Sequence, residues 1–93
     1  MIENFSCRDT EKIWDGKYVK RFPANIQERA LGKLRLVDAA QVLDDLKNPP
    51  GNRLEVLKGD RSGQMSIRIN QRWRICFRWE EGKALNVHIV DYH

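Results

Sequence analysis

The 93-residue sequence contains little cysteine and no long hydrophobic run. Its two cysteines, Cys7 and Cys76, are far apart and have no ligand-like neighbours, so we expect buried or idle cytosolic thiols and no zinc site. No stretch approaches the roughly 20 apolar residues that a membrane span needs. The opening residues lack the basic and apolar regions of a secretory signal. These absences predict a cytoplasmic protein with no membrane partner.

The composition is that of an ordinary globular protein. Hydrophobic residues make up 41% of the chain and charged residues 32%, which excludes a disordered class. A chain of this length suffices for one compact core and not for two. Neither a repeat nor a linker divides the sequence, so we expect a single domain over residues 1–93.

The net charge of +4 is concentrated in one segment of the chain. Residues 53–78 carry seven basic side chains and two acidic ones, and six of the seven bases are arginine. The planar guanidinium group suits bidentate contact with phosphate. This asymmetry indicates a polyanionic partner, although a solvated strand face would also account for some of these residues.

The first half of the chain predicts two helices. Asp9 or Thr10 is expected to cap a helix that stops at Gly16, and Pro23 stands where a second helix begins. The second helix has one apolar stripe with steps of four, four and three, formed by Ile26, Ala30, Leu34 and Val37.

The second half changes to the two-residue period of β-strands. A short strand at residues 2–6 and another at 54–59 accompany three longer ones, "QMSIRIN", "WRICFRW" and "ALNVHIV". In the last three, one face carries the odd-numbered residues Met65, Ile67, Ile69, Trp73, Ile75, Phe77, Trp79, Leu85, Val87 and Ile89. The sequence therefore predicts an α+β fold, with two N-terminal helices packed on one face of a small, mainly antiparallel β-sheet.

The other face of this sheet is predicted to be cationic. It collects Arg68, Arg74, Arg78, His88 and Tyr92. One interpretation is an open surface that seats a nucleic-acid backbone, and the other is a face that serves only solubility. We interpret His88 as a structural residue on this face.

The motifs "LKGDR", "SIRIN", "WRICF" and the terminal "DYH" resemble the HigB branch of the RelE-type bacterial toxins. The resemblance extends from "MIENF" through "LVDAA" to the last residue. It implies the toxin of a type II toxin–antitoxin module, with a RelE-like ribonuclease fold. It also implies cleavage of messenger RNA in the decoding site of the 70S ribosome, and a helix-turn-helix antitoxin through which the complex binds operator DNA.

The resemblance implies catalytic roles for Lys58, Arg74, Asp91, Tyr92 and His93. Some relatives have a histidine at the position of Glu55, so proton transfer there would pass to this carboxylate, to His93 or to no residue. The charged segment supplies four further RNA-binding candidates, Arg53, Arg61, Arg68 and Arg78.

Metal-free RNA cleavage needs a base for the 2′-hydroxyl, cations for the phosphorane and an acid for the leaving oxygen. No metal-ligand motif is visible, so no cofactor is expected. His93 is the natural proton carrier, and its charged form suits an acid. Asp91 is either the base or the group that orients His93, and Tyr92 stacks on a base or donates a hydrogen bond. Lys58 and Arg74 are expected to clamp phosphate, and Lys58 could act as a base only when neutral.

Two other functions fit the same residues. A toxin of this fold that binds DNA gyrase would need neither the "DYH" end nor the Lys58 and Arg74 pair. A passive module that binds RNA or the ribosome would need only the positive sheet. On either alternative, Asp91 merely caps a strand and the last residues are a polar tail.

Overall fold

The computed structural model describes residues 1–91, and its two α-helices come before its strands along the chain. Two helices, α1 (Arg8–Trp14) and α2 (Ala24–Ala39), precede the strands β1 (Glu55–Val56), β2 (Gln64–Arg68), β3 (Trp73–Glu80) and β4 (Lys83–Asp91). The strands form one antiparallel sheet in the order β1-β2-β3-β4. The predicted α+β fold, with two helices on one face of an antiparallel sheet, is confirmed.

Helix α2 packs on the sheet through its predicted stripe. Ile26, Ala30, Leu34 and Val37 are at most 1% exposed and share one core cluster with the apolar side chains of β2, β3 and β4. Burying each large aliphatic side chain contributes about 1.5–3 kcal/mol, so the stripe holds the helix in place. No helix within residues 1–91 combines the length and apolar character needed to cross a bilayer.

Helix α1 begins earlier than predicted. Its first residue is Arg8, so neither Asp9 nor Thr10 caps it, and the predicted cap is wrong. The Thr10 side chain is instead buried, and its hydroxyl oxygen accepts a 3.0 Å hydrogen bond from the Ile89 backbone N–H. This residue therefore joins α1 to β4. Gly16 follows the helix with a φ of +84°, as expected of a helix stop.

The predicted first strand at residues 2–6 is much shorter than expected. It consists of two isolated parallel bridges, in which Ile2 pairs with Ala84 and Phe5 pairs with Val87. Between them, the Asn4 side-chain oxygen accepts a 3.0 Å hydrogen bond from the Asn86 backbone N–H. The N-terminal segment thus lies along the outer edge of β4, but the pairing is interrupted at Asn86.

Strand β4 contains one residue more than β3 can pair with. Cys76 pairs with His88, but Arg78 pairs with Leu85, and the extra residue lies at Asn86, whose φ is +55°. Such a bulge reverses the alternation of side chains beyond it. Ala84 is therefore buried in the core, and the prediction that Leu85 faces the helices is wrong.

The predicted open surface opposite the helices is also wrong at its centre. Ser66, Arg74 and Cys76 lie on that face, yet all three are buried. The chain around Arg53 and Glu55 approaches Arg74 closely, which removes this part of the face from solvent. The remaining cations surround a covered centre and do not line a flat sheet.

Candidate active site

A row of polar side chains crosses all four strands on the face away from the helices. Glu55 is paired with Ser66, Ser66 with Cys76, and Cys76 with His88. Because directly opposed residues in antiparallel strands share a face, these four side chains are neighbours. The row joins the basic segment after β1 to the last strand.

Arg74 is anchored beside this row by hydrogen bonds to neutral acceptors. Its Nε donates to the Ser66 hydroxyl at 2.8 Å, and its Nη2 donates to the Arg53 carbonyl at 2.6 Å and the Ser66 carbonyl at 3.2 Å. The side chain is only 8% exposed. The structure therefore fixes Arg74 in one geometry, and the expectation that it lies on an open surface is incorrect.

Glu55 is the acidic neighbour of Arg74. Its Oε2 lies 3.9 Å from Arg74 Nη2, and half of its side chain remains exposed. This geometry brings two of the predicted site residues together. A half-exposed carboxylate next to a fixed cation is accessible to a substrate.

His88 is held between the N-terminal segment and the basic loop. Its Nε2 lies 3.2 Å from Arg61 Nη1, and its Nδ1 lies 2.8 Å from the Asn86 carbonyl oxygen. A guanidinium group only donates and a carbonyl only accepts, so both contacts require the neutral tautomer with hydrogen on Nδ1. His88 is thus an acceptor that positions Arg61, in agreement with the structural role expected from the sequence.

The Cys76 thiol lies under these charged groups and is fully buried. Burial raises the pKa of Cys76, although the nearby positive charges of Arg61 and Arg74 oppose this effect. Because burial is the largest of these effects, the neutral form of the thiol is favoured.

Lys58 and Arg61 belong to one exposed segment after β1. Lys58 directly precedes a short 3-10 helix, Gly59–Arg61, and both cations are exposed to solvent. Arg53, at the other end of β1, is also exposed and has a φ of +44°. The structure thus places these three cations on the chain that leads into and out of β1, and the backbone carbonyl of Arg53 contacts Arg74.

The remaining two predicted RNA-binding arginines are Arg68, the last residue of β2, and Arg78 on β3, which is paired with Gln64 at the other end of β2. Arg68 is paired with Arg74, and its Nε donates to the Asn70 carbonyl at 3.0 Å. Arg78 is exposed beside Gly63, where a Cβ atom would lie 2.9 Å from Arg78 Nη1. The absence of a side chain at Gly63 therefore makes room for this guanidinium group.

Asp91 does not share the face of Arg74. It is paired with Trp73, which faces the helices, whereas Arg74 is paired with Val90 on the other face. Its carboxylate forms a two-pronged ion pair with Arg72, at 2.8 Å to Nε and 2.7 Å to Nη2. The hydrogen bond and charge of Asp91 raise the pKa of Arg72 above its usual range.

The structure therefore joins only part of the predicted catalytic set. Tyr92 and His93 lie outside the described residues, so their predicted roles rest on the sequence. Arg72 was not predicted as a site residue, and the only signal for it was one more arginine in an arginine-rich segment. Within residues 1–91, no group of three or more histidine, cysteine or acidic side chains is arranged to hold a metal ion.

Comparisons with known proteins agree with this architecture. The family described as the RelE-like toxin HigB of type II toxin–antitoxin systems matches residues 4–93. Toxin HigB-1 of Vibrio cholerae serotype O1 is 43% identical over 75 residues, which cover 81% of this chain and 79% of that protein. Endoribonuclease HigB of Proteus vulgaris is 31% identical over 93 residues, which cover both proteins completely.

Solved structures show the same fold at lower identity. The YoeB–YefM complex from Staphylococcus aureus superimposes with a TM-score of 0.59 and 19% identity, covering 100% of this chain and 95% of the matched chain. Two helices on a four-stranded antiparallel sheet, with cations gathered around β1, define a RelE-like toxin. The chain belongs to the HigB family of these toxins, whose partners in type II systems are antitoxins. The family predicted from the sequence is confirmed.

Proposed function

We propose that this toxin is a ribosome-dependent endoribonuclease that cuts messenger RNA in the decoding site and thereby stops translation and growth. The observation that carries the proposal is Arg74, which is fixed in place beside the half-exposed carboxylate of Glu55. The name of the Proteus vulgaris relative, Endoribonuclease HigB, supports the same activity. A ribosome would supply positioning, so free RNA should be a poor substrate.

The proposed reaction uses protein groups alone. The ribose 2′-oxygen attacks the adjacent phosphorus, its proton passes to a base, and the bond from phosphorus to the 5′-oxygen breaks as that oxygen gains a proton. A positioned donor or acceptor of this kind contributes about 10²–10⁴-fold to the rate. Cations near the phosphate stabilise the charge that develops on its oxygens.

We assign these roles to residues that follow β1, lie on β3 or stand at the end of β4 and beyond it. Lys58 contacts the phosphate, and Arg74 stabilises its charge from a fixed position. His93 protonates the leaving oxygen, whereas Asp91, held by Arg72, serves as the base or orients His93. Tyr92 stacks on an unpaired base.

Glu55 is the alternative proton acceptor, because its carboxylate is half exposed beside Arg74. Four arginines complete the proposed RNA contacts: Arg53, Arg61, Arg68 and Arg78. We further propose that a helix-turn-helix antitoxin neutralises the toxin, and that operator DNA is bound only through that complex.

The test is to express the toxin inducibly in bacteria and to map the 5′ ends of messages with and without ribosome stalling. Cuts phased with codons are expected for the wild type, and deletion of His93 or the substitution Lys58→Ala should abolish them. Lys20→Ala is the matched control, because Lys20 is exposed and is not one of the predicted site residues. Full cleavage without His93 would refute the site assignment. DNA-damage signals without RNA cuts would refute the nuclease in favour of a gyrase inhibitor.

A further inference from the structure

A second cationic site lies in a cleft of about 320 Å³ at one end of the sheet. The cleft is formed by α2, the loop at Gly51 and the turn between β2 and β3. Its lining includes Arg29, Lys33 and Arg68, together with the polar residues Asn70 and Gln71, and no acidic residue. Neither Arg29 nor Lys33 was singled out from the sequence, because they lie on a helix far from the basic segment.

The cations in this cleft are held by neutral groups. Lys33 Nζ donates to the Asn52 side-chain oxygen at 2.5 Å, and Arg68 Nε donates to the Asn70 carbonyl at 3.0 Å. In the described part of the chain, no ion pair involves Arg29, Lys33 or Arg68. Lys33 and Arg68 are therefore oriented, but no acidic side chain in the described part of the chain pairs with the three cations.

The acceptor for Lys33 is itself rigid. Asn52 is fully buried, and its amide nitrogen donates to the Leu46 and Asn48 carbonyls at 3.1 Å each. Those two bonds turn the side-chain oxygen towards Lys33. The ammonium group is thus fixed in place before any ligand binds, which lowers the entropic cost of binding.

Electrostatic repulsion inside the cleft also favours an anion. Burial and, after it, the positive charge of Arg29 lower the pKa of Lys33. A negatively charged ligand between the two groups would offset this repulsion and favour the charged form of Lys33. Guanidinium groups, which Arg29 and Arg68 provide, match the oxygen geometry of phosphate.

We propose that this cleft binds a phosphodiester group of RNA, as a contact separate from the predicted catalytic residues. The proposal rests on the proposed function, because the cleft adjoins the sheet end where Asp91 lies. The Asn70 side chain accepts hydrogen bonds from the backbone N–H groups of Arg72 and Trp73, and Trp73 is paired with Asp91. The cleft and Asp91 therefore lie at the same end of the sheet.

The experiment compares Arg29→Gln/Lys33→Gln with the control Arg35→Gln/Lys20→Gln, which removes the same charge from exposed sites outside the cleft. The probe is a short single-stranded RNA with 2′-O-methyl riboses, which cannot be cut by 2′-hydroxyl attack. We expect the cleft variant to bind about tenfold more weakly at low salt. The slope of log affinity against log salt should fall by about 0.7 for each lost phosphate contact.

The source of the phosphate is distinguished by a second arm with ribosomes that carry no message. A deficit with the oligonucleotide supports a contact with the message, and a deficit with ribosomes alone supports a contact with ribosomal RNA. Binding equal to the control in both arms overturns the proposal. The proposal is also overturned, in favour of an acidic protein partner, if the cleft variant loses binding to polyglutamate but binds RNA as the control does.

Two further measurements keep the test independent of folding and of the nuclease activity. Arg29→Gln alone alters an exposed side chain with no structural hydrogen bond among the described residues, so it should keep the wild-type melting temperature and still weaken RNA binding. Titration with inorganic phosphate should shift the NMR signal of the Arg68 Nε–H, and no shift at millimolar phosphate overturns the site. Failure of the wild type to cut messages would refute the nuclease and leave these binding results intact.

Discussion

Replacing Arg74 by alanine should strongly lower the stability of the fold, so this variant tests stability before it tests the chemistry of the site. The side chain is 8% exposed, and within residues 1–91 it donates three hydrogen bonds that connect β2, β3 and the chain before β1. Its removal leaves the Ser66 hydroxyl and the Arg53 carbonyl without their donor. A hydrogen bond to a charged group contributes about 1.5–3 kcal/mol, so loss of the Arg74 bonds to these two residues costs about 3–6 kcal/mol.

That cost is a large part of the stability of a small protein, which is typically about 5–15 kcal/mol. For a chain of this size, each kcal/mol corresponds to about 4–8 °C in the melting temperature. Arg74→Ala should therefore melt at least about 12 °C below the wild type. Thermal unfolding followed by circular dichroism, with protein made in a cell-free system, measures this directly.

The matched control is Arg78→Ala, which removes an exposed arginine from the same strand. It should change the free energy of unfolding by no more than about 0.5 kcal/mol. If Arg74→Ala melts with the control, the buried hydrogen bonds do not stabilise the fold and the reasoning is refuted. Otherwise, cleavage by Arg74→Ala has to be expressed per folded molecule before a catalytic role is assigned.

Two further predictions concern His88 and the thiols. His88→Phe removes the acceptor for Arg61 and should speed amide hydrogen exchange in residues 59–61 about two- to tenfold. His88→Gln keeps an acceptor and should leave the exchange rates unchanged. Equal exchange rates in the two variants would contradict the positioning role of His88. Cys76, whose pKa is raised by burial, should react with iodoacetamide at least about a thousandfold more slowly than Cys7, because its exposure requires global unfolding. Mass spectrometry of the native protein resolves the two sites, and comparable labelling would show that the sheet interior opens locally.

The regular parts of this fold were predictable because each has one strong signal. The stripe of α2 is unbroken and all of its members are buried, and the alternation in β3 correctly assigns Ile75 and Phe77 to the core. The reversal in β4 was not predictable, because no residue type requires a bulge. Asn86 tolerates a positive φ, but it is common in ordinary turns as well. The register of β4 depends on its pairing with β3, which the sequence of β4 does not contain.

Many of the residues of the site could be predicted from the sequence, but their arrangement in space was harder to predict. Strand alternation placed Arg74 on the correct face, but it carried no information on the chain that covers that face. Likewise, the ion pair between Asp91 and Arg72 depends on the turn between β2 and β3, which brings Arg72 to the end of β4. Arg29 and Arg68 are 39 positions apart in the sequence and meet only through tertiary packing.

The extra residue at Asn86 changes how substitutions along the last strand must be interpreted. On one side of it the even position 84 is inward, and on the other side the odd positions 87 and 89 are inward. A scan of charged replacements would therefore find position 84 intolerant and position 85 permissive, the reverse of a uniform even–odd rule. A method that scores substitutions by one even–odd rule for the whole of β4 would misjudge both position 84 and position 85.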